Sequence, residues 1–259
     1  MVDVFGGGYN VGINTTAKKH IYNDQLTPLV ELLEYFTHHS TPSILKYINH
    51  TINKYHLSKT DKETFNIFLE QYNTTKNKCP LDLYILICYS FNHQLRYNNN
   101  GEYNSSHGTN RSTYNKNMEN NLIKFLAKLH DTNISFYNMD FTELPYNKLT
   151  SEDYLYFDPP YITSTANYND GNRGFKNWTH REEKQLYQLL KQLDKKSIRW
   201  GLSNVYLHNG EENVYLTRFI DNHNFTVHEI QSNYSNSNYQ KKHKKKDTLE
   251  VFITNYIKY

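Results

Sequence analysis

The sequence is poor in the residues that build disulfide scaffolds and membrane spans. Its 259 residues include two cysteines, too few for a disulfide framework or a set of metal-binding thiolates. No apolar run approaches the length of about 20 residues that a membrane-spanning helix needs. The first residues also lack the basic stretch and apolar run of a signal peptide. We therefore expect a cytoplasmic protein with no disulfide, no bound metal and no membrane association.

Net charge is also small, at +3, and it gives little indication of a partner. Hydrophobic residues make up 37% of the chain and aromatic residues 15%, which is enough apolar area to build a core. The sequence therefore predicts a folded protein. Positive charge is concentrated near the end, where lysines surround His243. These are Lys241, Lys242, Lys244, Lys245 and Lys246. Such a run is typical either of a phosphate-binding loop or of a solvated one.

Two stretches show the strand and helix alternation of an α/β domain. In the first, a strand over Met1–Phe5, a glycine turn, a strand over Lys19–Asp24 and a helix over 25–38 follow one another. The second stretch predicts strands at 133–137, 153–157, 197–202, 226–230 and 248–255, with helices at 180–194 and 211–222. We predict one Rossmann-like sheet built from residues 1–40 and 131–259.

Between these stretches the pattern becomes helical. Helices are predicted at 41–56, 60–75, 79–92 and 115–130. Asn100-Gly101, with aromatic residues on both sides, predicts a hairpin over 96–104. Residues 41–130 are thus interpreted as a helical insert that carries a β-hairpin.

The motif Asp158-Pro159-Pro160-Tyr161 directly follows the strand at 153–157. Ligands of open α/β sheets bind at the carboxyl ends of strands, so the motif lies where a site is expected. The prolines fix the backbone and leave carbonyl acceptors without N–H donors. The Asp158 carboxylate and the Pro159 carbonyl can accept the two hydrogens of an exocyclic amine, while Tyr161 stacks on the base. These groups would orient the amine for direct methyl transfer.

A cofactor site is indicated upstream. The glycines after the first strand let the backbone approach a ligand closely. Asp24 ends the second strand, where an acid can accept both hydroxyls of a ribose.

The sequence resembles the Dam-type (D12 class) adenine-specific DNA methyltransferases, particularly the phage branch. The resemblance lies in the glycine turn, Asp24 and Asp158–Tyr161, which occur in this order with an insert between the last two. The similarity covers nearly the whole chain. It implies S-adenosylmethionine as methyl donor and double-stranded DNA as substrate, with a restriction endonuclease as a functional partner. It also implies that the cofactor contacts Asp3, Phe5, Gly7, Gly8, Asp140 and Asp158, with Asp140 holding its adenine amine.

The resemblance extends to the DNA side. Arg96, Asn98 and Asn104 are similar to the recognition hairpin of members that act at GATC, and Arg111 aligns with a guanine-contacting arginine. Arg96 is equally compatible with a role in holding the hairpin. Members have Pro-Phe where this chain has Ser106-His107. Further DNA contacts are expected from a loop aromatic and from the basic run: Tyr168, Lys241, Lys242 and Lys244. The target adenine must leave the helix to reach the site.

Three hypotheses stay open. The first is an active adenine methyltransferase acting on duplex DNA. Members normally carry a segment before the first strand, with a Gly and a Lys that contact the methionine end of the cofactor, and this sequence begins at that strand. The second hypothesis is therefore an N-terminally truncated relative that binds DNA without methylating it. The third keeps the enzyme but changes the substrate to a cytosine amine, RNA or a protein glutamine.

Overall fold

The computed structural model describes residues 1–162, 178–208, 210–230 and 248–257. An eight-stranded sheet forms its centre. The strands are β1 (Val2–Asp3), β2 (His20–Asn23), β3 (Ile134–Tyr137), β4 (Tyr154–Phe157), β5 (Arg199–His208), β6 (Glu211–Glu212), β7 (Thr226–Ile230) and β8 (Thr248–Thr254). The helices are α1 (Thr27–His38), α2 (Thr41–Tyr55), α3 (Lys62–Thr74), α4 (Pro80–Tyr89), α5 (Lys116–His130), α6 (His180–Lys195) and α7 (Val214–Asp221).

The strand order is β3-β2-β1-β4-β5-β8-β7, with β6 paired to β5. Strands β1 to β5 run parallel, and β8 is antiparallel to both β5 and β7. Strand β1 occupies the middle: Val2 pairs with Ile21 of β2 on one side and with Leu155 of β4 on the other. This confirms the predicted Rossmann-like sheet and brings the carboxyl ends of β1 to β4 to one edge.

Apolar side chains on one face of the sheet explain why these segments form strands. Leu155 and Phe157 of β4 are buried, and the residues that alternate with them are less so. They pack in one core with Leu186 and Leu190 of α6. Thr179 and Glu182 form the predicted capping box at the start of α6.

Among the helices of residues 41–130, α4 is central and packs against α2 and α3, as well as against α1. Six of its ten residues are buried, as expected for a central helix. The core of this region is continuous with α1 and reaches Tyr9 and Tyr22 beside the sheet. Residues 41–130 therefore share an apolar core with α1 and with β2 of the sheet.

The predicted hairpin forms as a turn with little strand on either side. Asn98 N–H donates to the Glu102 carbonyl at 2.8 Å, and Gly101 N–H donates to the Asn98 carbonyl at 2.8 Å. Gly101 has φ +76°, which glycine adopts without strain and which closes this three-residue loop. Tyr97 and Tyr103 form an isolated antiparallel bridge below the turn.

Hydrogen bonds between neutral groups fix the base of this hairpin. Tyr103 is buried, and its hydroxyl donates to the Gln94 carbonyl at 2.9 Å and lies 2.8 Å from the Ser90 hydroxyl. The Asn73 side chain bonds both backbone groups of Tyr103, at 2.9 Å each. We call Asn73, Ser90, Tyr97 and Tyr103 the hairpin base.

Several predicted boundaries were wrong. Strand β5 continues to His208 instead of ending at 202, because its extension pairs with β8 and β6. The helix predicted at 211–222 begins only at Val214, since residues 211–212 form β6 and Asn213 caps the helix through Leu216 N–H. Strand β1 is confined to Val2–Asp3, as the chain then turns toward its glycines.

Candidate active site

A cavity of about 320 Å³ opens where β1, β2, β3 and β4 end. It is lined by all ten residues that the sequence analysis assigned to the cofactor or to catalysis. They are Asp3, Phe5, Gly7, Gly8, Asp24, Asp140, Asp158, Pro159, Pro160 and Tyr161. The fold thus brings together residues that lie up to 158 positions apart.

The glycine turn after β1 is held by β2. Gly7 has φ +47°, its N–H donates to Asp24 Oδ2 at 2.9 Å, and its carbonyl accepts from the Tyr22 hydroxyl at 2.8 Å. A Cβ on Gly6 would lie 2.2 Å from the Tyr22 ring, so a side chain there is excluded. The turn therefore presents backbone atoms without side chains to the cavity.

Asp24 is fixed by backbone donors on both carboxylate oxygens. Oδ2 accepts from Gly7, and Oδ1 accepts from Leu26 N–H at 2.8 Å. Burial raises the pKa of Asp24, and these backbone hydrogen bonds partly oppose the rise. A carboxylate has about four acceptor positions, and three backbone donors (Gly7, Gln25 and Leu26) approach this one, so a hydroxyl-bearing ligand can still bind.

Asp3 has an unused acceptor. Its Oδ2 accepts from Gly12 N–H at 3.2 Å, while its buried Oδ1 has no hydrogen-bond partner among the residues described. Burial raises the pKa of Asp3 to about 7; the Gly12 hydrogen bond lowers it, and the charges of Asp158 and Asp24 add to the rise. A buried, unpaired carboxylate oxygen is costly unless a donor or cation reaches it.

Asp140 caps a one-turn helix (Phe141–Glu143) by accepting from Thr142 N–H at 2.9 Å. Its other oxygen accepts from the Gln25 side chain at 2.6 Å. Gln25 also lines the cavity and was not predicted from the sequence as a site residue. Its place directly after Asp24, at a strand end, was the available indication.

The Asp158 side chain is exposed to the cavity. Its Oδ1 accepts from the Tyr161 hydroxyl at 2.7 Å. Partial loss of water raises the pKa of Asp158, the Tyr161 hydrogen bond lowers it, and Glu250 adds to the rise. Tyr161 therefore orients the carboxylate in this arrangement, whereas the sequence suggested base stacking for this ring.

An aromatic wall closes one side of the cavity. It consists of Phe5, Phe141 and Trp178. The ring of Phe5 lies 5.4 Å from that of Phe141 and 5.6 Å, edge to face, from that of Trp178. These three rings give this side of the cavity an apolar surface. Of these three rings, only Phe5 was predicted from the sequence to contact the cofactor.

The residues expected to contact DNA are placed differently. Arg96, Asn104 and Arg111 are exposed, and the guanidinium of Arg111 lies 5.9 Å from the centroid of the Phe91 ring. Asn98 instead supports the turn: its Oδ1 accepts from Asn100 and Glu102 N–H, and its Nδ2 donates to the Glu102 carboxylate at 2.7 Å. Tyr168, Lys241, Lys242 and Lys244 lie outside the described residues.

His107, where the resemblance expected a Pro-Phe pair, is buried in the insert. Its ring packs against Phe65 at 5.2 Å between centroids, and its Nε2 lies 3.0 Å from the Ser58 carbonyl. This departure from the family pattern therefore contributes to packing.

Within the described ranges, no cluster of three or more His, Cys, Asp or Glu side chains could hold a metal ion. In the same ranges, no helix combines the length and apolarity that crossing a membrane requires.

A Rossmann-like sheet with a glycine turn after its central strand, and with acids at the ends of the adjoining strands, is consistent with the S-adenosylmethionine-dependent methyltransferase fold. The sequence model of the D12 class N6 adenine-specific DNA methyltransferases matches residues 1–247, and the chain belongs to this family. Family membership implies S-adenosylmethionine as the methyl donor.

Named relatives are modification methylases. The chain is 42% identical over 255 residues to modification methylase StsI of Streptococcus sanguinis, covering 98% of this chain and 38% of that protein. It is 42% identical over 258 residues to type II methyltransferase M.FokI of Planomicrobium okeanokoites, covering 100% and 39%. Modification methylase LlaI of Lactococcus lactis subsp. lactis is 32% identical over 230 residues, covering 88% and 36%. The chain thus spans less than two fifths of the length of these relatives.

Proposed function

We propose that this chain transfers a methyl group from S-adenosylmethionine to the N6 amine of adenine in double-stranded DNA. The observation that carries the proposal is the single cavity in which Asp158–Tyr161 meets the glycine turn, Asp24 and Asp140. Family membership supports both the base and the donor.

The residues present fit the cofactor. The unpaired Oδ1 of Asp3 suits a cationic group. The carboxylate of Asp24, which backbone hydrogen bonds hold in place, suits ribose hydroxyls. Asp140 and Gln25 offer acceptor and donor groups to an adenine edge. Phe5 would pack against its apolar surface. When bound, S-adenosylmethionine would supply an electrophilic methyl group for direct displacement, with S-adenosylhomocysteine as the leaving group.

The chain's own contribution is orientation of the amine. Asp158 and the Pro159 carbonyl accept its two hydrogens, which directs the nitrogen lone pair toward the donor. As the nitrogen–carbon bond forms, the nitrogen loses a proton, and the Asp158 carboxylate is the acceptor hydrogen-bonded to it. A raised pKa makes this carboxylate a better proton acceptor than an ordinary aspartate.

On the DNA side, we propose that the target adenine flips out of the duplex, since a stacked base cannot enter a cavity at a strand edge. Residues 41–130 would form the target-recognition unit, with 1–40 and 131–259 as the catalytic unit. Arg96, Asn104 and Arg111 would contact the duplex from exposed positions. Tyr168, Lys241, Lys242 and Lys244 would add contacts from the remaining segments. The hairpin resemblance favours GATC.

We further propose a role in restriction–modification, with a cognate endonuclease as functional partner. The relatives named modification methylases support this role. The partnership would not need a physical complex, because both enzymes would act on the same DNA sequence.

The test incubates the 259-residue chain with tritiated S-adenosylmethionine and three duplexes: one with GATC, one with its adenine replaced and one scrambled. Label as N6-methyladenine in the GATC duplex alone is expected. Labelled adenine elsewhere would retain the activity and reject GATC. Label in cytosine, RNA or protein would contradict the substrate proposed.

Absence of label is resolved by a thermal-shift titration with S-adenosylmethionine. A chain that is not stabilised by cofactor, yet binds duplex DNA, would be the non-methylating relative. A chain that is stabilised but transfers no label to any of the three duplexes would reject GATC as its site.

A further inference from the structure

A buried carboxylate outside the predicted motifs contacts the aromatic wall. Glu183 lies in the first turn of α6 and is completely buried. Its Oε2 accepts from the Trp178 indole N–H at 2.6 Å. Its Oε1 accepts from the Tyr187 hydroxyl, from Asn204 Nδ2 at 3.2 Å and from Asn213 Nδ2 at 3.3 Å.

All four of these donors are neutral, and among the described residues the carboxylate is stabilised by hydrogen bonds and not by an ion pair. A buried charge is tolerated only when its lone pairs are satisfied, and here donors approach both oxygens. Glutamine at this position would lose hydrogen bonds. One end of its amide is an N–H donor, and in either orientation of the amide that end would face another donor. The site therefore requires an acceptor-only side chain.

The donors come from elements that meet behind the cavity. Asn204 is on β5, Asn213 caps α7, and Trp178 precedes the N-cap of α6. Trp178 alone among these four donors lines the cavity, where its ring packs edge to face on Phe5 and lies 5.5 Å from Phe141. The hydrogen bond from Trp178 to Glu183 thus fixes one wall of the cavity to the sheet and to two helices.

We infer that Glu183 is a positioning residue for cofactor binding: it holds the Trp178 indole so that the aromatic wall is formed before the cofactor arrives. This inference rests on the proposed use of S-adenosylmethionine. A preformed wall saves the conformational entropy of ordering a large side chain on binding. Glu183 touches neither cofactor nor DNA in this proposal and acts through Trp178.

Tryptophan fluorescence can test the inference, because the chain has two tryptophans. The second, Trp200, is buried, and its Nε1 has no hydrogen-bond partner among the residues described, so Trp200→Phe removes no such bond. In that background, emission reports on Trp178 alone. Glu183→Gln should increase acrylamide quenching of Trp178 without any ligand. It should also weaken S-adenosylmethionine binding about tenfold, the size of one hydrogen bond to a charged group.

Tyr187→Phe is the matched control. It removes one donor from the same carboxylate, on the oxygen away from Trp178, and retains the ring that stacks on Phe219 at 4.3 Å. It should lower the melting temperature but leave Trp178 quenching and cofactor affinity near those of the parent. Equal loss of affinity in Tyr187→Phe and Glu183→Gln would show a merely structural role and overturn the inference.

Trp178→Phe completes a double-mutant cycle. It removes the hydrogen bond between Trp178 and Glu183 from the donor side. If Glu183→Gln does not fold, the affinity of Trp178→Phe for the cofactor becomes the test. Trp178→Phe should weaken cofactor binding, and adding Glu183→Gln should then have little further effect. Unchanged affinity in Trp178→Phe, or full additivity of the two changes, would overturn the inference.

The two proposals fail in distinguishable ways. If the parent chain does not bind S-adenosylmethionine, the proposed function falls, and the role of Glu183 in binding falls with it. If the parent binds and Glu183→Gln binds equally well, only the inference on Glu183 falls.

Discussion

The cavity edge and the hairpin base bury polar groups in opposite ways. We use the term cavity edge for Asp3, Asp24, Asp140 and Asp158. Burial or partial loss of water raises the pKa of three of these carboxyls, namely Asp3, Asp24 and Asp158, and Asp3 keeps an acceptor unpaired. The hairpin base instead buries neutral groups that are hydrogen-bonded to one another.

This difference separates a region built to receive a ligand from one built to hold a shape. Unpaired buried acceptors cost stability, and a cationic ligand would recover that cost. Satisfied neutral networks rigidify a fold and leave the exposed tip to make contacts. The following predictions test this contrast, from the largest expected effect to the smallest.

Removing the acid of Asp158-Pro159-Pro160-Tyr161 should have the largest effect. Asp158→Ala removes the acceptor that is proposed to orient the amine, so the rate of methyl transfer should fall about a thousandfold while duplex binding stays intact. Single-turnover transfer and DNA binding are measured side by side. The matched control is Asp153→Asn, since Asp153 accepts from Thr150 N–H before β4, away from the cavity, and this variant should turn over normally. Substantial turnover by Asp158→Ala would contradict the assigned role.

The second prediction concerns pH and Asp3. Its pKa is raised to about 7 in the folded chain, against about 4 when unfolded, so the native state holds the extra proton between these values. The free energy of unfolding of the ligand-free chain should therefore fall as pH rises through this window, and Asp3→Asn should flatten the decrease. Urea titrations across pH 4 to 8 measure it.

Affinity for S-adenosylmethionine should change in the other direction. Ionised Asp3 attracts a cation, so binding should strengthen as pH rises through about 7. At pH 8, Asp3→Asn should bind the cofactor about ten- to a hundredfold more weakly. An affinity that does not depend on Asp3 would show that the unpaired oxygen is not a cofactor contact.

Exposed hairpin residues should matter for DNA and not for the cofactor. Arg96→Ala should weaken duplex binding by about 1–3 kcal/mol, with cofactor affinity unchanged. A loss confined to one duplex sequence would indicate a base contact, and a uniform loss with a smaller salt dependence would indicate a phosphate contact. No loss on any duplex would support the view that Arg96 only holds the hairpin.

Gly101→Ala should have the smallest effect. Alanine at φ +76° costs about 1 kcal/mol, and the hairpin base should hold the remaining structure. Urea denaturation measures the loss, and transfer to DNA should persist. A collapse of activity from this substitution would mean that the tip itself sets the geometry of the cavity.

The sheet and the cavity were largely predictable, because buried strands carry apolar runs and strand ends collect ligands. Asp24 and Asp158 could be placed at the same edge from their positions after two strands alone. Asn98 illustrates the limit: its residue type suggested base reading, whereas its side chain holds the turn. The direction of a side chain in a tight turn depends on contacts that the spacing of residues along the sequence does not specify.

Glu183 was missed for a similar reason. It lies three residues before Leu186 and seven before Leu190, so it falls on the buried stripe of α6. That placement was visible in the sequence, but the donors that make it tolerable come from Trp178, Asn204 and Asn213 on other elements. The end of β5 was missed although Asn209-Gly210 is a hairpin signal.

The ends of α1 and α5 meet, and this has a consequence for how the segment between them can evolve. His130, the last residue of α5, lies with its Nε2 2.9 Å from the Phe36 carbonyl near the end of α1. The segment between them therefore starts and finishes at one place, and its length does not set the spacing of β2 and β3. We expect that insertions and deletions accumulate within this segment during evolution, while the apolar side chains that it packs against α1 and β2 are retained.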